Sequence, residues 1–98
     1  MNFLPGVVRL TADGLVGGSG KVIRVYSVHM VAASGTACVA ILKEGTSDSG
    51  VATAQVNAAI SSGSTTNFAG GLLFKDGCFC DVTFNSGDYI TIIYTEQV

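Results

Sequence analysis

His29 is the one histidine of this chain, and Cys38, Cys78 and Cys80 are its three cysteines. Every acid–base or Ser-His-Asp arrangement must therefore use His29. Cys78-x-Cys80 places two thiols on one face of a strand; with Cys38 and His29 they make up the donor set of a Cys3His zinc site. The spacing argues against that use, because structural zinc sites present Cys-x2–4-Cys knuckles, and free cysteine is among the most buried residue types. Small buried hydrophobes, or one disulfide from Cys38 to Cys78 or Cys80, are the better reading, and no metal is expected. His29 sits mid-strand among Val28, Met30 and Val31, with no glycine-flanked serine elbow to supply a nucleophile and oxyanion donors. A packed or interface histidine follows, and no catalytic residue is assigned.

Gly17-Gly18-Ser19-Gly20-Lys21 invites comparison with a phosphate-cradling loop and fails it. Leu15 stands where the first glycine is required, Val22 where Ser or Thr must follow the lysine, and a strand follows where a helix N-terminus is needed. The seven carboxylates lie mainly at turns, as Asp13, Asp48, Asp76 and Asp88 show, and no Asp-x-Asp-x-Asp-Gly loop exists for calcium. The reading is of a chain that is not an enzyme and carries no cofactor.

The elements that position these residues have period two. Lys21 to Ala33 alternates Val22, Arg24, Tyr26, Val28, Met30 with Ile23, Val25, Ser27, His29, Val31, apolar on both faces, which predicts a central strand covered on both sides. Ala37 to Glu44 is a second run with Val39 and Ile41 opposed to Cys38, Ala40 and Leu42; Ser34-Gly35-Thr36 between the two suits a hairpin. After the turn cluster 44–50, Val51 to Ile60 is ambiguous: its alanines suit a helix, while Val51, Thr53, Val56 and Ile60 favour a strand, which is the assignment taken. Thr65 to Phe68 reads as a short strand and Gly70-Gly71 as punctuation before Leu72-Leu73-Phe74. Asp76-Gly77 predicts a tight hairpin with Phe74 opposite Phe79 and Leu73 opposite Cys80. After the turn Asn85–Asp88, Tyr89 to Thr95 closes the pattern with Ile90, Ile92 and Tyr94 on one face. The aromatics Phe68, Phe74, Phe79, Phe84, Tyr26, Tyr89 and Tyr94 are assigned mostly to the core. Seven or eight strands with turns every eight to twelve residues predict one all-β domain over 1–98, an antiparallel β-sandwich of jelly-roll type.

Composition bears on partners. The chain is 48% hydrophobic and only 12% charged, with a net charge of −2, against about 25% charged in an average soluble domain. Such a surface suits a protein packed against copies of itself or a large partner. Arg9, Lys21, Arg24, Lys43 and Lys75 are scattered, so no phosphate-tracking stripe exists and nucleic acid is not an expected partner. No apolar stretch approaches the ~18 residues of a spanning helix, and the first residues lack a positive n-region, so neither a membrane nor a secretory signal is expected. An odd cysteine count without framework spacing fits synthesis in a reducing cytoplasm. Residues 1–20 read as a docking arm: Phe3, Leu4, Pro5, Val7 and Val8 form an apolar cluster, tethered by Gly14, Gly17, Gly18 and Gly20. The alternative is a first strand over Val7 to Thr11, and the two can coexist.

Three stretches, Gly20–His29, Ala37–Thr46 and Gly71–Thr83, together with Ile90–Tyr94, resemble small virion surface proteins of tailed bacteriophages, particularly marine and cyanobacterial ones. The shared motifs are strand and turn signatures, with no catalytic residue to carry over. The resemblance implies a short β-sandwich used in many copies in the virion. It would serve as a capsid decoration or cement subunit bound to the major capsid protein, with a trimer favoured, or else as a tail- or fibre-associated module that recognises a host surface.

Overall fold

Alternation of apolar and polar side chains yields eight strands, β1 (Phe3–Leu10), β2 (Gly14–Val16), β3 (Ile23–Val31), β4 (Cys38–Glu44), β5 (Val51–Ala58), β6 (Gly63–Phe74), β7 (Cys78–Thr83) and β8 (Tyr89–Gln97). The computed structural model describes residues 2–33, 37–59 and 62–97; among them there is no helix. The strands form two antiparallel four-stranded sheets, β1-β8-β3-β6 and β2-β7-β4-β5. The pairs β1–β8, β2–β7, β3–β6 and β4–β5 nest inside one another, which is the strand order of a jelly roll. One apolar layer lies between the sheets: Ile23, Val25, Val28, Met30, Phe74, Ile90 and Ile92 from the first meet Val16, Cys38, Ala40, Leu42, Cys78 and Cys80 from the second, all with no exposed surface. Each large side chain so buried contributes roughly 1.5–3 kcal/mol.

The ambiguous alanine-rich segment is a strand, β5, paired with β4 from Cys38↔Ala58 to Glu44↔Val51; Ile60 lies outside the described residues. It is half-covered, burying Val56 and Ala58 while Gln55 and Asn57 face solvent, and β-branched residues fit such a pleated surface. Two expected hairpins are corrected. The stretch Ser34-Gly35-Thr36 lies outside the described residues, but β3 and β4, which flank it, belong to different sheets. Asp76-Gly77 likewise joins β6 of the first sheet to β7 of the second. Phe74 therefore pairs with Ile23 and Leu73 with Arg24, while Phe79 pairs with Leu15 and Lys43, and Cys80 with Gly14 and Leu42. Gly77 does take a positive φ of 105°, so the turn chemistry was right and the partner strand wrong. The corner is held from across the sandwich by Glu44, whose carboxylate accepts from the Lys75 N–H at 3.0 Å and the Asp76 N–H at 2.8 Å.

β3 departs from strict alternation. Its register against both neighbours slips between Val25 and Ser27, so Tyr26 is an inserted residue and the inward set passes from Ile23 and Val25 to Val28 and Met30. The outward set is Arg24, Ser27, His29 and Val31, which are half-buried or exposed. The expected cover on both faces is thus corrected: a bulge makes a one-sided strand look two-sided in sequence. On β6 the chain does not break at Gly70-Gly71; positive φ values of 76° and 85° make a bulge within one strand of twelve residues. The Arg24 stem and the Tyr26 ring lie where a Cβ on Gly71 would stand.

Candidate functional site

The sandwich separates the residues that could have combined chemically. Cys38, Cys78 and Cys80 are buried in the core, whereas His29 is exposed on the outer face of the first sheet, its Nδ1 2.7 Å from Thr65 Oγ1. No group of three or more metal-ligating side chains occurs among the described residues. Of the two readings of the cysteines, the small buried hydrophobe holds and the Cys38 disulfide is corrected, since all three thiols are buried and free. Cys80 lies opposite Leu42, four residues along β4 from Cys38, or ~13 Å at 3.3 Å per residue, well beyond the ~7 Å Cα separation a disulfide tolerates. Burial pushes the Cys80 thiol up to about 12, with the charges of Asp13 and Asp81 adding to it. Cys78 is raised further, by burial first and then by Cys80 and Glu44, and Cys38 is raised by burial and by Asp88. These are reluctant nucleophiles.

The glycine loop makes no anion cradle. Gly17 and Gly20 turn it with φ of 74° and 70°, and the Gly18 N–H donates to the Glu96 carboxylate, so a carboxylate of the protein occupies the donor. A depression of about 430 Å³ between Thr11, Ala12, Asp13, Val82 and Phe84 offers one carboxylate. That group already accepts from the Val82 N–H at 2.8 Å.

What the structure does assemble is a surface. Strand parity puts Phe3, Pro5, Val7 and Arg9 of β1 on the outer face of the first sheet, beside Thr91, Ile93 and Thr95 of β8. Across β3 the same face continues through Arg24, Tyr26, Ser27 and His29 to Thr65, Asn67 and Leu73 of β6. Seven large hydrophobic side chains are exposed among the described residues, and five of them share this face: Phe3 38%, Val7 67%, Tyr26 38%, Leu73 38% and Ile93 47%. Val7 and Ile93 are direct cross-strand partners, and Ile93 neighbours Ser27 beside the Tyr26 bulge, giving an apolar belt across the middle of the sheet. Within these paired strands the face carries both arginines of the chain and no lysine, aspartate or glutamate. No protein-family model, curated protein or solved structure matches this chain. The functional reading therefore rests on the face itself and on the resemblance noted in the sequence.

The polar groups of this face lie flat against it. Arg9 stacks on the Tyr89 ring at 4.0 Å, Arg24 donates to the Gly70 carbonyl at 3.1 Å, and His29 is engaged by Thr65. Of the residues expected to form a docking arm, Phe3, Pro5 and Val7 belong to the outer face, Leu4 is 58% exposed at the end of the sheet, and Val8 packs on the core. They lie in an edge strand paired with β8 from Phe3↔Gln97 to Leu10↔Ile90, which begins earlier than the expected Val7. The glycine tether is corrected as well: Gly14 is in β2, and Val16 beside it is fully buried. Sequence reasoning missed Tyr26, Leu73 and Ile93 as surface residues. It also placed Phe79 in the core, whereas that ring is half-buried on the outer side of the second sheet opposite Leu15 and Lys43. The Gly70-Gly71 pair, which the sequence presents as punctuation, marks instead a break in alternation within β6.

Proposed function

We propose that this chain is a structural protein of a bacteriophage virion, a capsid decoration or cement subunit that stabilises the assembled shell. The observation that carries the reading is the outer face of the first sheet, a carboxylate-free surface with five exposed large hydrophobic residues. Contiguous apolar surface of this kind marks protein association. The resemblance of β3, β4, the β6–β7 corner and β8 to small virion surface proteins supplies the setting. The partners are other copies of the chain, with a trimer favoured, and the major capsid protein. Cement needs no reaction: a subunit that binds the assembled shell and not its parts stabilises it by mass action, by about 2.7 kcal/mol per site at a free concentration 100 times the dissociation constant.

The test is co-sedimentation with shells assembled from the capsid protein encoded in the same genome. Saturable pelleting with the shells and a higher shell disassembly temperature are expected. Absence from the shell together with immunogold label on the tail would replace the reading with a tail- or fibre-associated binding module that recognises a host surface.

A further inference from the structure

We infer that the outer face of the first sheet is where one copy of this chain packs against a second. The inference rests on the assembly reading and names the surface and its occupant. Four observations support it.

The first is composition. The face holds Phe3, Tyr26 and Tyr89 with both arginines, and no lysine, aspartate or glutamate within its paired strands. That is the enrichment and depletion of residue types which distinguishes the centre of an interface from ordinary surface. The second is the state of its polar side chains: Arg9 is laid over the Tyr89 ring, Arg24 on the Gly70 carbonyl and His29 against Thr65, so covering the face has little side-chain freedom left to remove. The third is size. The molecule measures 44 × 25 × 18 Å; two packed sheets lie only ~10 Å apart, so the 44 Å direction runs within the sheets and the face has room for the ~800 Å² that each partner contributes to a stable interface.

The fourth is that the other route to self-association is blunted. The open edges of this sheet are β1 and β6. Proline in the first and the left-handed Gly70-Gly71 bulge in the second are the devices by which edges refuse an added strand. Copies therefore do not meet by extending this sheet. A net charge of −2 leaves little repulsion between identical subunits.

The experiment is sedimentation equilibrium of the full chain across a hundredfold or greater concentration range, as wild type, Ile93→Arg and Val51→Arg. Val51 is 74% exposed on β5 of the other sheet and serves as the control. Wild type and Val51→Arg are expected to associate alike, and Ile93→Arg to weaken association at least ~30-fold, the loss expected at an interface hot spot. An unchanged β-sheet spectrum and urea midpoint would show Ile93→Arg folded. A second measurement uses wild type alone: hydroxyl-radical labelling of Tyr26 and Phe3 should fall as concentration rises, with that of Val51 constant. Association untouched by Ile93→Arg and by labelling at Tyr26 would overturn the inference and leave the assembly reading intact. A subunit that stays monomeric throughout, but protects Tyr26 on adding shells, would assign the face to the capsid protein and overturn the second copy as its occupant. Absence of shell binding with intact self-association would instead count against the assembly reading alone.

Discussion

Gly77 and the core cysteines show how far single residues decide this structure. Gly77 combines a φ of 105° with a backbone carbonyl, that of Gly45, only 3.0 Å from where its Cβ would stand. We expect Gly77→Val to lower stability by about 2 kcal/mol or more, since left-handed strain alone costs ~1–2 kcal/mol; urea denaturation reads it. Cys78 and Cys80 predict a pH effect. Burial raises both thiols above the ordinary thiol range, so above about pH 9 the unfolded chain loses protons that the native state keeps. Their contribution is complete below about pH 9 and is lost as pH climbs toward the folded values. The urea midpoint should therefore fall on raising pH from 8.5 to 10.5, and less steeply in Cys78→Ala/Cys80→Ala. Each replacement should itself cost about 1–3 kcal/mol through lost packing, and native protein at pH 8 should resist iodoacetamide until urea is added.

At the scale of the element, the bulge in β3 makes the sharpest case. Tyr26 is the one-residue insertion that carries Val28, Met30 and Ala32 to the same side as Ile23 and Val25. Tyr26→Ser should cost under ~1 kcal/mol, because its ring is 38% exposed and only its backbone sets the parity. Deleting Tyr26 should be tolerated, since without the extra residue Ile23, Val25, Val28 and Met30 alternate strictly against β8. Deleting His29 should instead abolish folding, because a one-residue slip beyond the bulge sends Met30 and Ala32 to the wrong face; circular dichroism and expression in soluble form separate the two. The cap on the β6–β7 corner is milder. Glu44→Ala removes the acceptor for two backbone N–H groups and should cost about 1–3 kcal/mol, with Glu44→Gln recovering part of it.

These elements also show what sequence could carry. Strand positions were legible because alternation is local: β4 and β8 bury the very faces their pattern indicates, Cys38, Ala40 and Leu42 in one, Ile90 and Ile92 in the other. Pairing was not legible. Asp76-Gly77 has the same turn chemistry whether the next strand folds back beside β6 or crosses to the opposite sheet, and only the distant partners of β7, namely Leu15 and Lys43 for Phe79, decide between them. The candidate surface was half legible, since Phe3, Pro5 and Val7 stood out as an apolar cluster. Tyr26, Leu73 and Ile93 join them only after the sheet is built.

For the whole molecule, the nested order of pairs has a consequence in time. Phe3 lies opposite Gln97, so the strand synthesised first waits for the strand synthesised last. At ~5–20 residues per second on a ribosome, β1 spends roughly 4–19 s without its partner. The tip of the roll, β4 with β5, is the one pair that neighbours in sequence can close early; every other pair must wait for its intervening chain, and such non-local closure is slow. Refolding from urea should accordingly take milliseconds to seconds or longer, with β4 and β5 amides protected first in pulse-labelled hydrogen exchange. A chain cut before Tyr89 should gain no cooperative transition at all, because β8 stands between β1 and β3. Removing residues 1–6 should leave a destabilised but cooperative sandwich. The outer face is thus completed all at once, when β8 slots between β1 and β3, and no nascent form lacking β8 presents a finished face to another copy.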